Sequence, residues 1–164
     1  MKTIKCLLLL MACALPSADA GADTAGRQVN DGPLLAFCAP SATMARPGDA
    51  VAIDCVLSNI SPASIVLSSQ GRWLGLSWAG GGASGRTAAH FLFRRSITAN
   101  YLTLRPGDAV RQTQTFWVPG RQKSGPVEIR TQFRSLDDGQ HFNYQAWTGT
   151  VETAAIRITI QNGD

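Results

Sequence analysis

The 164-residue chain holds only two histidines, His90 and His141, and they stand far apart. A zinc site needs three or four clustered His, Cys, Asp or Glu ligands, and no H-x-x-x-H, C-x-x-C or EF-hand spacing occurs. The residues therefore point to no metal and no cofactor. Serines are plentiful, but none sits in a G-x-S-x-G elbow, so the base that a nucleophile requires is not written into the sequence. Carboxylates are scarce and fall mostly in predicted turns, which argues against paired acid–base chemistry. Asp137-Asp138 beside Gly139 reads as turn chemistry rather than as calcium ligands. The run Gly80-Gly81-Gly82-Ala83-Ser84-Gly85 lacks the G-K-[ST] ending and the following helix of a phosphate loop. These absences predict a protein that is not an enzyme.

Binding residues are better represented. Trp73 and Trp78 precede the glycine-rich run, and His90, Arg94 and Arg95 follow it. Trp and Arg dominate interface hot spots, and loops held by a rigid scaffold carry recognition. The stretch therefore predicts a protein-binding surface, with burial in the core as the alternative for both tryptophans. A second candidate is the loop Val118-Pro119-Gly120-Arg121-Gln122-Lys123-Ser124-Gly125. Its Arg121 and Lys123 suit the acidic specificity pocket of an exported hydrolase, and the plainer reading is a solvated basic hairpin.

The elements that must position these residues are strands. Arg-Pro-Gly-Asp-Ala-Val occurs twice, at Arg46–Val51 and Arg105–Val110. Pro-Gly fits the centre of a type II turn, because proline presets the first φ and glycine takes the positive second one. The flanking stretches do not extend the similarity, so this is one turn solution used twice. Val51, Ile53, Cys55 and Leu57 then alternate with polar or small residues. Val110, Gln112, Gln114 and Phe116 do so less cleanly, and Ile156, Ile158 and Ile160 do so again. Period-two alternation with one polar face is the mark of an antiparallel sheet with a solvated side. Asp138-Gly139 adds a hairpin signal. No window carries a capped helical period, and 86–95 alone is ambiguous. The prediction is an all-β chain, an antiparallel immunoglobulin-like β-sandwich of about seven to nine strands, with a closed barrel as the alternative.

Residues 1–20 have the lysines, short apolar run and Ala18-Asp19-Ala20 ending of a secretory signal peptide, too short to span a bilayer. Leu10-Met11-Ala12-Cys13 resembles the lipobox of bacterial lipoproteins, which leaves lipidation of Cys13 open as a second reading. Either route predicts a periplasmic or secreted protein, lipid-anchored in the second case. Residues 21–32 are small and polar and read as a disordered leader, with the sandwich over 33–164. After residue 20 there remain thirteen basic and ten acidic residues, for a net charge of +3. The arginines are scattered along the chain, with no dense stripe to predict nucleic-acid binding. Cys38 and Cys55 flank the first turn at positions that a hairpin would place opposite each other. They predict a disulfide in an oxidising compartment, worth roughly 3 kcal/mol in the chain-entropy model.

Several segments resemble small bacterial immunoglobulin-like modules. They are Leu57-Ser58-Asn59-Ile60-Ser61, Pro126-Val127-Glu128-Ile129-Arg130-Thr131-Gln132-Phe133, Trp147-Thr148-Gly149-Thr150-Val151 and Ile156-Arg157-Ile158-Thr159-Ile160. The resemblance covers roughly residues 34–161 and implies a fold, with no site carried over. Some members of that group are proteinase inhibitors, and others are accessory or adhesive modules. The functional expectation is thus an exported protein-binding module of the bacterial envelope. Its alternatives are an inhibitor of an exported proteinase or cell-wall enzyme, or a carbohydrate-binding or structural accessory domain.

Overall fold

The structure, a computed structural model, describes residues 26–27, 32–68, 71–88, 90–91 and 101–162. The expected signal peptide, Cys13, most of the leader, Arg94 and Arg95 lie outside these residues. All regular structure described is β, apart from one 3-10 turn at Gln140–Phe142. Among the described residues no helix is long and apolar enough to cross a membrane.

One sheet has the order β1-β2-β4-β11, from Gly26–Arg27, Leu34–Pro40, Ala50–Asn59 and Ala109–Trp117. The second has the order β3-β15-β12-β7-β8, from Met44–Ala45, Ile156–Ile160, Gly125–Arg130, Ser77–Gly80 and Ala83–Arg86. A third ladder runs β14-β13-β6-β9, from Gly149–Glu152, Gln132–Ser135, Arg72–Trp73 and His90–Phe91. A two-stranded ladder joins β5, Ile65–Ser68, to β10, Tyr101–Leu104. Among the described residues every pairing is antiparallel except β15 with β3. The ladders are open, as a sandwich requires and a barrel does not. Gly26–Arg27, the two residues of β1, pair with Cys38 and Phe37 along the edge of β2.

The strands are shorter and more numerous than expected because several are interrupted. The pairing of β12 with β15 sets Gly125 opposite Ile160, yet β13 meets β14 with Gln132 opposite Glu152, a slip of one residue. Between β12·β7 and β13·β6 the register slips by one as well, from Arg130 opposite Ser77 to Phe133 opposite Trp73. Such slips are bulges, which bend a sheet and re-aim its side chains. Here they fall at one level, marked by Gly75, Thr131 and Thr153, so the second and third ladders form one bent layer.

One apolar cluster fills the space between the layers. Val51, Ile53, Cys55 and Leu57 of β4 face Val127 and Ile129 of β12 and Ile156, Ile158 and Ile160 of β15. Trp78 of β7 touches Phe116 of β11 edge-on, with ring centroids 5.8 Å apart. In β11 the inward row includes Gln114, whose amide lies 3.8 Å from Cys55 Sγ. That polar inward residue is why the alternation there is not cleanly apolar.

The repeated hexapeptide has a symmetrical use. In each copy the aspartate carboxylate accepts the arginine N–H, at 2.7 Å for Asp49 and 2.8 Å for Asp108. Gly48 and Gly107 sit at φ 91° and 84°, the left-handed region that a type II turn demands. The first turn feeds β4 and bonds Val118, just past the end of β11. The second feeds β11 and bonds Asn59, at the end of β4. The two copies therefore clasp opposite ends of one antiparallel pair.

Cys38 and Cys55 are directly opposite in β2 and β4, form a disulfide, and have Cα atoms 4.1 Å apart. Both are fully buried. The bridge staples neighbouring strands of one sheet, as the spacing predicted.

Candidate functional site

The structure brings together two segments that the sequence leaves unconnected. The β7–β8 connection, Gly80–Gly82, and the loop 119–124 pack against each other at one end of the sandwich. Their junction is Gln122, 3% exposed, whose Nε2 donates to the Gly80 carbonyl at 2.6 Å. Gly81, at φ 56°, is required on two counts: its backbone is left-handed, and a Cβ would overlap Gln122 Nε2. The loop closes on itself through Gln122 N–H to Pro119 carbonyl, 2.9 Å, and its entry is fixed by Val118 N–H to Asp49 carbonyl, also 2.9 Å. At its exit, the Ser124 hydroxyl accepts the Asn162 N–H at 3.2 Å.

A buried glutamine thus stands between two exposed cations, Arg121 and Lys123. Arg46, in the turn that clasps Val118, is exposed as well, and among the described residues none of the three is in an ion pair. Trp117, at the last position of β11, is 66% exposed. The result is a stiff, cationic projection with a large aromatic surface at its root. The sequence singles out Arg121 and Lys123, which are exposed on this loop, and does not single out Trp117. Period-two alternation from the inward Phe116 was the signal that would have turned Trp117 outward.

The other expected binding residues divide. Trp73 is corrected to a core residue: it is fully buried and packs edge-on against Phe133, with centroids 5.7 Å apart. Its position on the inward row of β6 leaves it no surface to offer a partner. Trp78 is half-buried, pairs with Gly85 across β7·β8, and lies against that glycine so closely that a Cβ there would stand 2.8 Å from the indole. It covers its neighbour strand rather than projecting. His90 pairs with Trp73 through the backbone of β6·β9, away from the Gln122 junction.

A second polar cluster holds the 136–148 connection. Asp137 accepts from Ser68 Oγ at 2.6 Å, Tyr101 Oη at 3.3 Å and the Gly139 N–H at 2.9 Å. Tyr101 stacks on Tyr144 with centroids 4.4 Å apart. Gly139, at φ 77°, starts the 3-10 turn, so Asp138-Gly139 opens a long connection rather than a tight hairpin. The Ser68 hydroxyl, followed by the Gly139 and Tyr101 bonds, holds the Asp137 carboxyl below its ordinary value, although burial opposes this. Burial and the adjacent carboxylate push the Tyr101 phenol up. With a folded value below the unfolded one, near 3.9, the Asp137 bonds contribute fully above that pH and are lost as pH falls through the folded value. Acid titration is therefore expected to release the 136–148 connection below about pH 4, read as a change in Tyr and Trp147 fluorescence. In Asp137→Asn that step should be absent.

No family model and no curated protein sequence matches this chain. Among solved structures, it is similar to the sporulation control protein Spo0M of Bacillus subtilis, with 15% identity and a TM-score of 0.47. That match covers 79% of this chain and 50% of Spo0M, so the chain spans half the length of that protein. A β-glucosidase of Listeria innocua, solved with glucose, matches at 8% identity and a TM-score of 0.41, over 79% of this chain and 16% of the enzyme. A β-glucosidase of Erythrobacter marinus matches at 12% identity and a TM-score of 0.33, over 79% and 15%.

Proposed function

We propose that the chain is a non-enzymatic, exported protein-binding module that engages its partner with the projection around Gln122. The observation that carries this is the burial of Gln122 between exposed Arg121 and Lys123. An interface anchored by side chains on a pre-ordered loop loses little conformational entropy on binding. The three cations, in no ion pair among the described residues, match a partner with an acidic surface, and Trp117 is the hot-spot residue type beside them. An extracytoplasmic location is compatible with the Cys38–Cys55 bridge. The sheet order β3-β15-β12-β7-β8, opposed by β2-β4-β11, supports an immunoglobulin-like reading of the sandwich.

The test is capture of exported proteins by immobilised residues 21–164, followed by titration of the captured partner. Replacing Trp117, Arg121 and Lys123 by alanine is expected to weaken binding at least tenfold, about 1.4 kcal/mol. Equal retention by that variant, or an empty eluate from folded protein, overturns the proposal. The same hydrogen-bonded, exposed loop favours inhibition of an exported hydrolase as the second reading. Slowed cleavage by a captured hydrolase, restored by Arg121→Ala, would select it.

A further inference from the structure

The arginines that are scattered in the chain are gathered in the fold. Arg72 of β6, Arg86 of β8, Arg130 of β12, Arg134 of β13 and Arg157 of β15 all lie on the outer face of the bent layer. Their inward-facing chain neighbours Trp73, Ile129, Phe133, Ile156 and Ile158 fix that orientation, and the register places Arg86 opposite Ser77 and Ser77 opposite Arg130. Arg72 and Arg134 are direct cross-strand neighbours. The acidic side chains on this face are the two glutamates of the protein. Glu128 bonds Arg157 at 3.2 Å and Arg130 at 3.3 Å, which lowers its carboxyl pKa. Glu152 accepts from Gln132 at 3.2 Å.

Where the strands break, this face is indented by a pocket of about 260 Å³ lined by Gly75, Ser77, Arg86, Arg130, Gln132 and Glu152, among others. Arg86 and Arg130 stand two strands apart, about 9.6 Å at the backbone, with only the small Ser77 between them. Arg86 makes no ion pair among the described residues. Pockets for drug-sized ligands begin at roughly 300 Å³, so this one suits a single ring rather than a chain. Two guanidinium groups fit a carboxylate, and the amide and carboxylate of Gln132 and Glu152 fit hydroxyl groups.

We propose that this pocket binds one uronate ring of an acidic glycan, with the surrounding arginines attracting the charges on either side. Among the pocket's lining residues there is no aromatic ring, which disfavours nucleic acid, since single strands need a base-stacking platform. The lining is polar and concave, which disfavours the apolar centre of a protein interface. This site is separate from the projection around Gln122 and stands or falls independently of it.

The probes are trigalacturonate, its neutral counterpart galactotriose, and a single-stranded oligonucleotide of matched charge, titrated calorimetrically into the folded domain at low salt. Trigalacturonate is expected to bind, and galactotriose at least tenfold more weakly. Arg86→Gln with Arg130→Gln should reduce trigalacturonate binding at least tenfold. Arg121→Gln with Lys123→Gln, which removes the same charge elsewhere, should change it less than threefold. Ser77→Met keeps every charge but fills the pocket, and it should also lose at least tenfold. Because all these side chains are on the surface, unchanged thermal unfolding identifies variants that are fit to score, and wild type with the three probes decides alone if none qualifies. The proposal is overturned if trigalacturonate does not bind, or if the oligonucleotide binds equally well. Full binding by Ser77→Met or equal losses in the two charge variants would also overturn it.

Discussion

Trp73→Ala is expected to destabilise the domain by about 3–5 kcal/mol, the range for emptying a buried tryptophan site. Trp73 is fully buried in the inward row of β6, edge-on to Phe133, which in turn stacks near Trp147 at 6.2 Å. Removing the indole leaves a void beside the Phe133 ring, and β6 has only two residues with which to adjust. Total stabilities of small domains run about 5–15 kcal/mol, so the loss is a large share of the whole. The indole Nε1 is buried and finds no acceptor among the described residues. Leaving such a donor unpaired carries a cost that a phenyl ring would not. Trp73→Phe is therefore expected to lose about 1–2 kcal/mol, less than half as much. Urea unfolding followed by far-ultraviolet dichroism checks both values. A loss under 1 kcal/mol for Trp73→Ala would show that the ring is not part of the core.

That result also separates what local sequence patterns carry from what they do not. Turn chemistry is local, and both Arg-Pro-Gly-Asp copies form the predicted type II turns, because proline and glycine fix their own dihedral angles. The Cys38–Cys55 pairing was legible for the same reason: two short strands around one punctuation mark have few registers available. Alternation identified the inward rows of β4 and β15 correctly. The tryptophans were harder, since composition ranks Trp as both core and interface material. Only the strand phase, inward for Trp73 and outward for Trp117, distinguishes the two roles. The arginine face was illegible in principle. Its five members come from five strands whose order in the layer is not their order in the chain, and two bulges change the phase between them. Nor could the loop 119–124 be connected to Gly80–Gly82 without knowing that β12 lies beside β7.

The bend that creates the arginine pocket makes Gly75 hard to replace. A Cβ built there would overlap the Thr87 carbonyl oxygen and stand 2.5 Å from the Thr87 carbonyl carbon and 2.6 Å from the Ala88 oxygen. All three atoms are backbone, so no side-chain rotation relieves the contact. The neighbouring chain is also tied in place, by Leu76 N–H to Thr87 Oγ1 at 2.8 Å and Thr87 N–H to Leu76 carbonyl at 2.9 Å. On the other side, Leu74 N–H donates to Gln132 carbonyl at 2.7 Å, and the Thr131 hydroxyl donates to the Leu74 carbonyl. The segment between β6 and β7 is therefore clamped from both flanks, and a methyl group can enter only by parting β7 from β8. Overpacking commonly costs about 1–3 kcal/mol where side chains can yield, and backbone on one side and a clamp on the other place Gly75→Ala at or beyond the top of that range. The expected outcome is a loss of at least ~3 kcal/mol, together with raised hydrogen exchange confined first to Ser77–Arg86. Gly82→Ala is the comparison, since a Cβ there meets nothing within 4 Å and only its φ of 78° opposes the change. It should lose about 1–2 kcal/mol, the cost of a left-handed non-glycine residue. If Gly75→Ala proved no worse than Gly82→Ala, the two chains would not approach as closely as the bend requires, and the pocket between Arg86 and Arg130 would lose its floor.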